Sequence, residues 1–497
     1  MKGSVIADIR QDLDELDFLC KEYKKSLLHF QKQLVKLKTH PAFPFLAKEA
    51  ERLLEYLYDL QRQIAKSHSQ INTASPKRLE ELAHEKRKLF MQLRSCIPFV
   101  TSLVTSSDWQ SPSFMHSLNS EAGIQEGDII AHINDYKRDR HLNEERYQEQ
   151  FLKEYVDGFK FPIGAYLTSS GMAALTTIIT FFILQKKIKG PVLVGRSIYF
   201  ENTEIMQNFF KKEKVLKVDE MNTEKILEVY DKNQPDLLLF DSLCNAPTVA
   251  VPDIPTILKY VALHAKKETF FIIDNSTLSI ALQPLKILRL PSKVKLIVFE
   301  SLNKYHQFGL DRVTAGIVWY RGSGFEKFYQ ARVHAGTNIP DNSVYALPTP
   351  NRKHLEARLS RHNRNAKYLS EALSTFIYER DLKKIEGIVY PGLVDHPSYA
   401  WVKKFSFQGS YFVISFKKPY QKVRVYQRFV KQVIENARKK KVAIVGGTSF
   451  GFNTTRIYLT AQNTDYGQPF IRVSLGTENL GELEKIKEVF IDTIKSF

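Results

Sequence analysis

The stretch FESLNKYHQFGLDRVTAG, residues 299–316, carries the strongest structural signal in the chain. It continues the apolar run KLIVF, which is typical of a buried strand, and it places Lys304 in a loop rich in Ser, Asn and Tyr. Packing explains a lysine there poorly, because lysine is rarely buried unless it is paired or reactive. The stretch therefore predicts a reactive amine just past the end of a strand.

A second polar residue ends a strand candidate further upstream, where the run TFFIID finishes at Asp274. In open α/β sheets, ligands bind at the carboxyl ends of the strands, which is where Asp274 and Lys304 would both lie. Pyridoxal phosphate needs such a pair, because a carboxylate keeps its pyridinium nitrogen protonated and an amine forms a Schiff base with it. The two residues therefore predict a pyridoxal-phosphate site.

Short apolar runs alternate with helical stretches after Gly164, which indicates an α/β fold with a mostly parallel central sheet and helices on both faces. We expect a large cofactor-binding domain over residues 161–350 and a smaller α+β domain over 351–497. The strand candidates are PVLVG (191–195), LLLF (237–240), FFIID (270–274), KLIVFE (295–300), AGIVWY (315–320) and YFVISF (411–416). The helix candidates between them include Ser170 to Leu184 and Asn202 to Lys211.

The first part of the chain has apolar residues spaced three and four apart, which predicts amphipathic helices. Two long seams and a shorter third helix span Ile6 to Leu37, Leu46 to Ile64, and Leu79 to Leu93. We expect a helical bundle or coiled-coil extension over residues 1–100, then a linker and N-terminal arm over 101–160. The extension either serves oligomerisation or partner docking, or caps the catalytic body; the sequence favours neither.

Composition excludes several classes of protein. The 497 residues predict two or three domains.

The net charge of +18 suits anionic partners, but a solvated lysine-rich surface explains this charge better, and no nucleic-acid partner is expected. Cys20, Cys96 and Cys244 lack the spacing of a metal site or disulfide scaffold, so we expect no metal and a cytoplasmic location. No signal peptide or membrane-spanning run is seen, so no membrane association is expected.

Three further motifs suit a cofactor site. The run SSGMAAL (169–175) opens a helix whose free amides can bind a phosphate. Tyr199, just after the strand PVLVG, can stack on a cofactor ring or simply pack in the core. Arg472, in FIRVSLGTEN, stands among apolar neighbours and needs an anion, either a substrate carboxylate or a structural salt-bridge partner.

Taken in order along the chain, these motifs resemble the fold-type I pyridoxal-phosphate enzymes, and within them the Cys/Met-metabolism (transsulfuration) family. The resemblance extends from about Asp135 to the C-terminus. It implies a fold-type I, transferase-like architecture behind the helical extension. The family includes cystathionine γ-synthases and lyases, methionine γ-lyases and O-acyl-homoserine sulfhydrylases, so a small-molecule amino acid is the implied substrate.

The resemblance assigns three segments to the cofactor phosphate. SSGMAA matches the family's phosphate-binding turn, ESLNKY matches its SxTKY motif, and DYKR (135–138) is similar to a Tyr-x-Arg that reaches the neighbouring subunit's site. A homodimer or homotetramer with shared active sites is therefore implied. The phosphate-binding residues implied are Ser170, Gly171, Met172, Ser301, Asn303 and, across the subunit interface, Tyr136 and Arg138.

Other matched motifs concern the cofactor ring and the substrate. DSLCNAPTVAVPDI (241–254) is similar to the family's ESPxNP…VxDI element, and IIDNSTLSIALQPL (272–285) to its VDNTF…QPL. SFGF (449–452) resembles SLGG, and RVSLGTE resembles RLSVGIE. The implied roles are Schiff-base formation for Lys304, ring stacking and acid–base catalysis for Tyr199, pyridinium binding for Asp274, a place near the cofactor for Asn245, and substrate-carboxylate binding for Ser449 and Arg472.

The chain departs from the family pattern near the substrate. Asn303 replaces a threonine, which leaves an amide donor in place of a hydroxyl, and FGLD replaces GHSD. Phe200 and Glu201 stand where the family has glycines, so we expect a narrower or differently charged mouth to the active site. These differences bear on the identity of the substrate more than on the cofactor.

We therefore expect β- or γ-elimination, or γ-replacement, on a sulfur-containing or O-activated homoserine-type amino acid. The alternatives are another fold-type I activity, such as an aminotransferase or an aldol-type lyase, and a cofactor-binding protein that acts mainly through residues 1–100. A nucleic-acid-binding scaffold is the least favoured reading.

Overall fold

The computed structural model describes residues 2–35, 38, 42–106, 142–158, 163–288, 292–380, 382–462, 464 and 467–497. Its α-helices are α1 Lys2–Leu34, α2 Phe43–Gln70, α3 Pro76–Thr105, α4 Leu142–Tyr155, α5 Gly171–Gln185, α6 Phe200–Phe209, α7 Thr223–Asn233, α8 Ile254–His264, α9 Pro284–Ile287, α10 Phe328–Ala335, α11 Asp341–Ala346, α12 Arg352–Tyr378, α13 Tyr399–Val402, α14 Val423–Lys439 and α15 Leu480–Ser496. Its strands are β1 Ile163–Thr168, β2 Val192–Gly195, β3 Val215–Val218, β4 Leu237–Asp241, β5 Thr269–Asp274, β6 Val294–Ser301, β7 Gly316–Arg321, β8 Ile385–Val389, β9 Tyr411–Phe416, β10 Val445–Gly446, β11 Arg456–Thr460 and β12 Phe470–Ser474.

A seven-stranded sheet in the order β1-β7-β6-β5-β4-β2-β3 forms the centre of the large domain. Only β7 among these strands runs against its neighbours, which confirms the predicted α/β fold with a mostly parallel sheet. The inner strands read as continuous apolar runs because helices cover both faces of the sheet. Their carboxyl ends lie along one edge, and this edge carries Asp241, Asp274 and Ser301.

The C-terminal domain is a five-stranded sheet in the order β10-β11-β12-β9-β8, covered by α12, α14 and α15. All neighbouring strands are antiparallel except β10 and β11, so the smaller α+β domain is confirmed. The register places Arg472 of β12 opposite Tyr458 of β11. Arg472 and Tyr458 therefore lie on the same face of this sheet.

Helices α1, α2 and α3 form the all-helical extension as a three-helix bundle, with apolar side chains of all three in its core. The prediction of a shorter third helix is wrong, because α3 has 30 residues and α2 has 28. Helix α3 continues beyond the apolar seam through Cys96, Ile97 and Val100, which are buried, and through Pro98. It therefore passes the expected boundary at residue 100, and α4 is a helix within the region expected to be a linker.

The extension lies directly on the catalytic body, where acidic residues of α1 meet arginines of α12. Glu15 accepts a hydrogen bond from Nη1 of Arg358 at 2.8 Å, and Asp12 accepts from Nη2 of Arg361 at 3.2 Å. Both arginine side chains are buried. Nη2 of Arg358 also donates to the carbonyl of Gly451 at 2.8 Å, so this guanidinium joins the extension to a loop of the C-terminal domain. The contacts support the cap reading of the extension.

Replacing Arg358 by methionine is expected to lower the free energy of unfolding by about 3 kcal/mol, because it leaves Glu15 buried without its cation. Burial already raises the pKa of Glu15, so the stability loss should shrink as the pH falls and the carboxyl takes up a proton. Chemical denaturation at neutral and mildly acidic pH measures both effects. The control is Arg380→Met, whose ion pair with Glu379 is exposed. Equal losses in the two variants would contradict the prediction.

Candidate functional site

A cavity of about 440 Å³ lies between the carboxyl edge of the large sheet and the C-terminal domain. It brings together eleven of the thirteen residues predicted from the sequence, while Tyr136 and Arg138 lie outside the described residues. The eleven are Ser170, Gly171, Met172, Tyr199, Asn245, Asp274, Ser301, Asn303, Lys304, Ser449 and Arg472. Residues from distant parts of the sequence thus face one space.

Lys304 follows β6 and projects its amine into this cavity. Its Nζ donates to Oγ of Ser449 at 2.8 Å and lies 5.1 Å from the centre of the Phe450 ring. Burial, and then the positive charge of Arg472, lower the pKa of the Lys304 amine to about 8. A substantial neutral fraction is therefore available near physiological pH, which a nucleophilic or proton-accepting amine requires.

Two carboxylates lie side by side at the ends of β4 and β5, because the strand register pairs Asp241 with Asp274. Asp274 accepts hydrogen bonds from Nδ2 of Asn202 at 3.2 Å and from the backbone amide of Ser276 at 3.0 Å. Burial raises the pKa of both carboxyl groups, and for Asp241 the neighbouring Asp274 raises it further. Among the described residues neither carboxylate forms a salt bridge, although the charge of Lys304 lowers the pKa of Asp274. A protonated pyridine ring would supply a further positive charge to this pair.

The beginning of α5 forms a cradle for an anion. Oγ of Ser170 caps the helix by accepting the Ala173 amide at 3.0 Å, and the amides of the first turn have no partner within the helix. Gly171 is required here, since an added Cβ would lie 2.8 Å from Cβ of Ser301. The opening of α5 and the end of β6 thus form one surface with space and donors for a phosphate.

Asn303 is fixed beside this cradle by its own side chain. Its Oδ1 accepts the backbone amide of Ala315 at 2.8 Å, so its Nδ2 group is the end available for donation into the cavity. This arrangement is compatible with the expected amide donor in place of the family's threonine hydroxyl. Its role toward a phosphate stays a prediction.

Arg472 is buried at the opposite wall, with 3% of its surface exposed. Its Nη1 donates to Oδ1 of Asn245 at 2.7 Å and its Nη2 to the carbonyl of Ser449 at 3.2 Å, while Nε has no hydrogen-bond partner. No described carboxylate pairs with it, so the alternative of a structural salt bridge finds no support among these residues. The guanidinium is placed to take an anion from the cavity.

Tyr199 lies at the entrance to α6, where Oδ2 of Asp241 accepts its backbone amide at 2.8 Å. Burial, and next the neighbouring Glu201, raise the pKa of the Tyr199 phenol, so the hydroxyl keeps its proton at neutral pH. Glu201 also lines the cavity, and the Phe200 ring packs 4.6 Å from that of Tyr199. Glu201 therefore places a carboxyl side chain in the cavity wall, at a position where the matched motif has glycine.

Sequence reasoning did not assign a role to several residues that line the cavity. Asp241 could have been found, since it follows the run LLLF as Asp274 follows FFII. Ser276, Phe450 and Phe452 lie within motifs quoted above but were given no role of their own. Arg456 had no comparable signal, because only the folded chain brings it to the site. In the part of the chain that the structure describes, no group of three or more His, Cys, Asp or Glu residues could hold a metal ion.

A family model described as Cys/Met metabolism PLP-dependent enzyme matches residues 109–487. The chain belongs to this family. Its members are pyridoxal-phosphate enzymes, which confirms the predicted cofactor, and the carboxylate pair, the helix cradle and the buried amine of this structure fit that group. The residues that would hold it are Lys304 at the aldehyde, Asp274 at the ring nitrogen and the Ser170–Met172 turn at the phosphate.

Two curated relatives match parts of this Cys/Met-metabolism chain. The bifunctional enzyme flvA of Aspergillus flavus is 25% identical over 333 residues, which is 67% of this chain and 39% of that protein. An L-methionine gamma-lyase of Fusobacterium nucleatum is 26% identical over 241 residues, which is 48% of this chain and 56% of that protein. The chain thus spans about two fifths of one relative and little more than half of the other.

Solved structures share the fold. Cystathionine gamma synthase of Xanthomonas oryzae pv. oryzae, in complex with cystathionine, has a TM-score of 0.58 at 17% identity, covering 73% of this chain and 89% of that one. Cystathionine gamma-lyase of Lactobacillus plantarum, complexed with L-serine, has a TM-score of 0.58 at 19% identity, covering 74% and 91%. The expected fold-type I architecture is confirmed. Among the described residues, no helix is both long enough and apolar enough to cross a membrane.

Proposed function

We propose that the chain is an enzyme that carries out β- or γ-elimination, or γ-replacement, on a sulfur-containing or O-activated homoserine-type amino acid. The observation that carries this proposal is the meeting of Lys304, Asp274 and Arg472 in one cavity. An amine, a carboxylate and a guanidinium there match the aldehyde and ring of the cofactor and the carboxylate of an amino acid. Family membership supports the reaction class.

Bound pyridoxal phosphate would supply an aldehyde that bonds to amines and a protonated ring that takes up electrons from the substrate's α-carbon. Lys304 would hold the cofactor at its aldehyde, and its Nζ is the group placed to accept the substrate's α-proton. Its pKa of about 8 lets the amine both gain and lose a proton near neutral pH. Ser449, whose Oγ accepts from Nζ at 2.8 Å, holds the amine in position.

The remaining residues orient the substrate and its leaving group. Arg472 binds the α-carboxylate by its fork of donors, and Asn245 keeps the guanidinium in place. The phenol of Tyr199 remains protonated at neutral pH, so it can donate a proton to a departing sulfur or oxygen. Asp274 would hold the ring nitrogen in its protonated form.

A homodimer or homotetramer with shared sites is part of the proposal, with Tyr136 and Arg138 serving the neighbouring subunit's phosphate. The three free cysteines are buried as thiols, which fits the proposed reducing cytoplasm. The ion pairs between α1 of the extension and α12 of the catalytic body favour a capping role for the three-helix bundle over a role in partner docking.

The test is a screen of amino acids against the cofactor-loaded protein, with assays for thiol, ammonia and keto acid. We expect a sulfur-containing or O-acylated substrate to release ammonia and a keto acid together with its leaving group, or to give a γ-replaced product when a thiol is added. A keto acid that forms only with an amino acceptor would instead indicate an aminotransferase, and glycine with an aldehyde an aldol-type lyase. Either result would overturn the proposed reaction.

A further inference from the structure

A second arginine, Arg456, lines the same cavity near Asp311 but forms no salt bridge with a described carboxylate. It begins β11 and is half-buried. Its Nη1 donates to the carbonyl of Thr448 at 2.8 Å, and its Nε is buried with no hydrogen-bond partner. No carboxylate of the described residues forms an ion pair with it. A partly desolvated guanidinium in a substrate cavity is stabilised when an anion arrives.

The strand register places Arg456 close to Arg472. In the antiparallel pair of β11 and β12, Arg456 lies opposite Ser474 and Tyr458 lies opposite Arg472. Opposite residues share a face of the sheet, and so do residues two apart along a strand, so both arginines project from the same face. They are diagonal neighbours, with backbone positions about 7–8 Å apart. Adjacent strands therefore present two guanidinium groups to one cavity.

Arg456 is held ready for a ligand by the loop that carries Ser449. Its guanidinium lies 3.5 Å from the centre of the Phe452 ring, and the carbonyl of Thr448 fixes one end of the group. A stacked, hydrogen-bonded arginine loses little conformational entropy when an anion binds, because its geometry is already set. Burial lowers the pKa of the Arg456 guanidinium, while the charge of the nearby Asp311 raises it and that of Arg94 lowers it further. An incoming anion would offset the desolvation of this guanidinium.

Two phenylalanine rings line the cavity beside the two arginines. Phe450 lies 5.7 Å from the guanidinium of Arg472, and Phe452 lies beneath Arg456. A chain of methylene groups or a thioether can lie along these rings, with one charged group at each end. The cavity thus has the layout of a site for an amino acid with a carboxylate at both ends.

We propose that Arg456 binds a carboxylate at the end of the substrate's side chain, while Arg472 binds the α-carboxylate. This inference rests on the proposed function, since it assigns the substrate class of that same site. It makes a monocarboxylic amino acid with an apolar side chain the poorer ligand. The residue that discriminates is one that the sequence motifs of the family did not single out.

The test compares L-2-aminoadipate with L-norleucine on the cofactor-loaded protein, using the shift in the cofactor's absorbance and in Tm as readouts of binding. Wild type should prefer aminoadipate by about tenfold to a hundredfold, the usual worth of a charge-assisted hydrogen bond. Arg456→Met should remove that preference and leave norleucine binding within about twofold. Arg456→Lys should keep part of the preference for aminoadipate, because lysine retains the positive charge. The matched control is Arg438→Met, an exposed arginine of α14.

Equal affinities in the wild type, or an undiminished preference in Arg456→Met, would overturn the proposal. So would a loss of cofactor affinity in Arg456→Met with unchanged discrimination, because Arg456 would then contact the cofactor phosphate. The absorbance of the loaded wild type is recorded first. An absent cofactor band refutes the proposed function, whereas an intact band with equal affinities refutes only the second anion position.

Discussion

The Lys304→Ala variant is expected to show no cofactor absorbance band of the wild-type kind and to lose activity by more than about a thousandfold. The amine is the only described lysine in the cavity wall, and no neighbour can replace its two proposed tasks of holding the aldehyde and accepting the α-proton. Absorbance spectroscopy of the purified protein and single-turnover assays measure the two losses. The fold should survive, since Lys304 contributes one side-chain hydrogen bond.

Lys232→Ala is the matched control, because this lysine is exposed in the last turn of α7. It should keep both the band and the activity. An active Lys304→Ala variant would contradict the assignment. In the wild type, the rate of cofactor loading should rise with pH and level off above about 8, because only the neutral amine attacks an aldehyde. A midpoint close to that of free lysine would contradict the lowered pKa.

Asp274→Asn is expected to lower activity by about a hundredfold to ten-thousandfold, since an amide cannot hold the ring nitrogen in its protonated form. The variant should also change the response of Tm to the cofactor. Burial raises the pKa of Asp274, so its charged form costs stability above the unfolded-state pKa, and this cost fades as the pH falls. At neutral pH, the cofactor-free variant should therefore be more stable than wild type and gain less Tm on loading.

Asp241→Asn is the matched control for this prediction, being an equal change at the register partner of Asp274. Asp241 accepts the backbone amide of Tyr199, so its replacement should disturb the placement of the phenol more than the charge on the ring. Scanning calorimetry with and without cofactor, together with absorbance titration, separates the two variants. If both carboxylates contribute equally to the Tm gain on loading, the assignment of the pyridinium partner to Asp274 fails.

Sequence alone predicted the inner strands well, because their apolar runs are long and end in polar residues. It missed β1, whose IGAYLT sequence mixes glycine with a partly buried tyrosine, and β3, a four-residue edge strand that is only partly buried. Neither has the hydrophobic contrast on which strand prediction depends. The leucine seam of the third helix stops at Leu93, but the helix continues because tertiary packing buries Cys96, Ile97 and Val100.

The site was predictable where each residue follows a strand or opens a helix in a recognisable motif, as Asp274, Lys304 and Ser170 do. Arg456 could not be found this way, because it enters the cavity through the pairing of β11 with β12. Asp311 lines the cavity, and the backbone next to it is held by the extension. Nε of Arg94 in α3 donates to the carbonyl of Leu310 at 2.6 Å. Such long-range contacts leave no local pattern in the sequence.

The guanidinium of Arg358 also links the N-terminal extension to the loop beside Lys304. It binds Glu15 of the extension on one side and the carbonyl of Gly451 on the other, and Gly451 is packed so closely on Lys304 that an added Cβ would lie 2.7 Å from the lysine's carbonyl carbon. Separating α1 from the catalytic body would break the ion pair between Glu15 and Arg358. It would also loosen the backbone at Gly451, which lies beside Lys304. The extension and the catalytic body are therefore expected to unfold as one cooperative unit, and α1, α2 and α3 are not expected to fold as an independent domain.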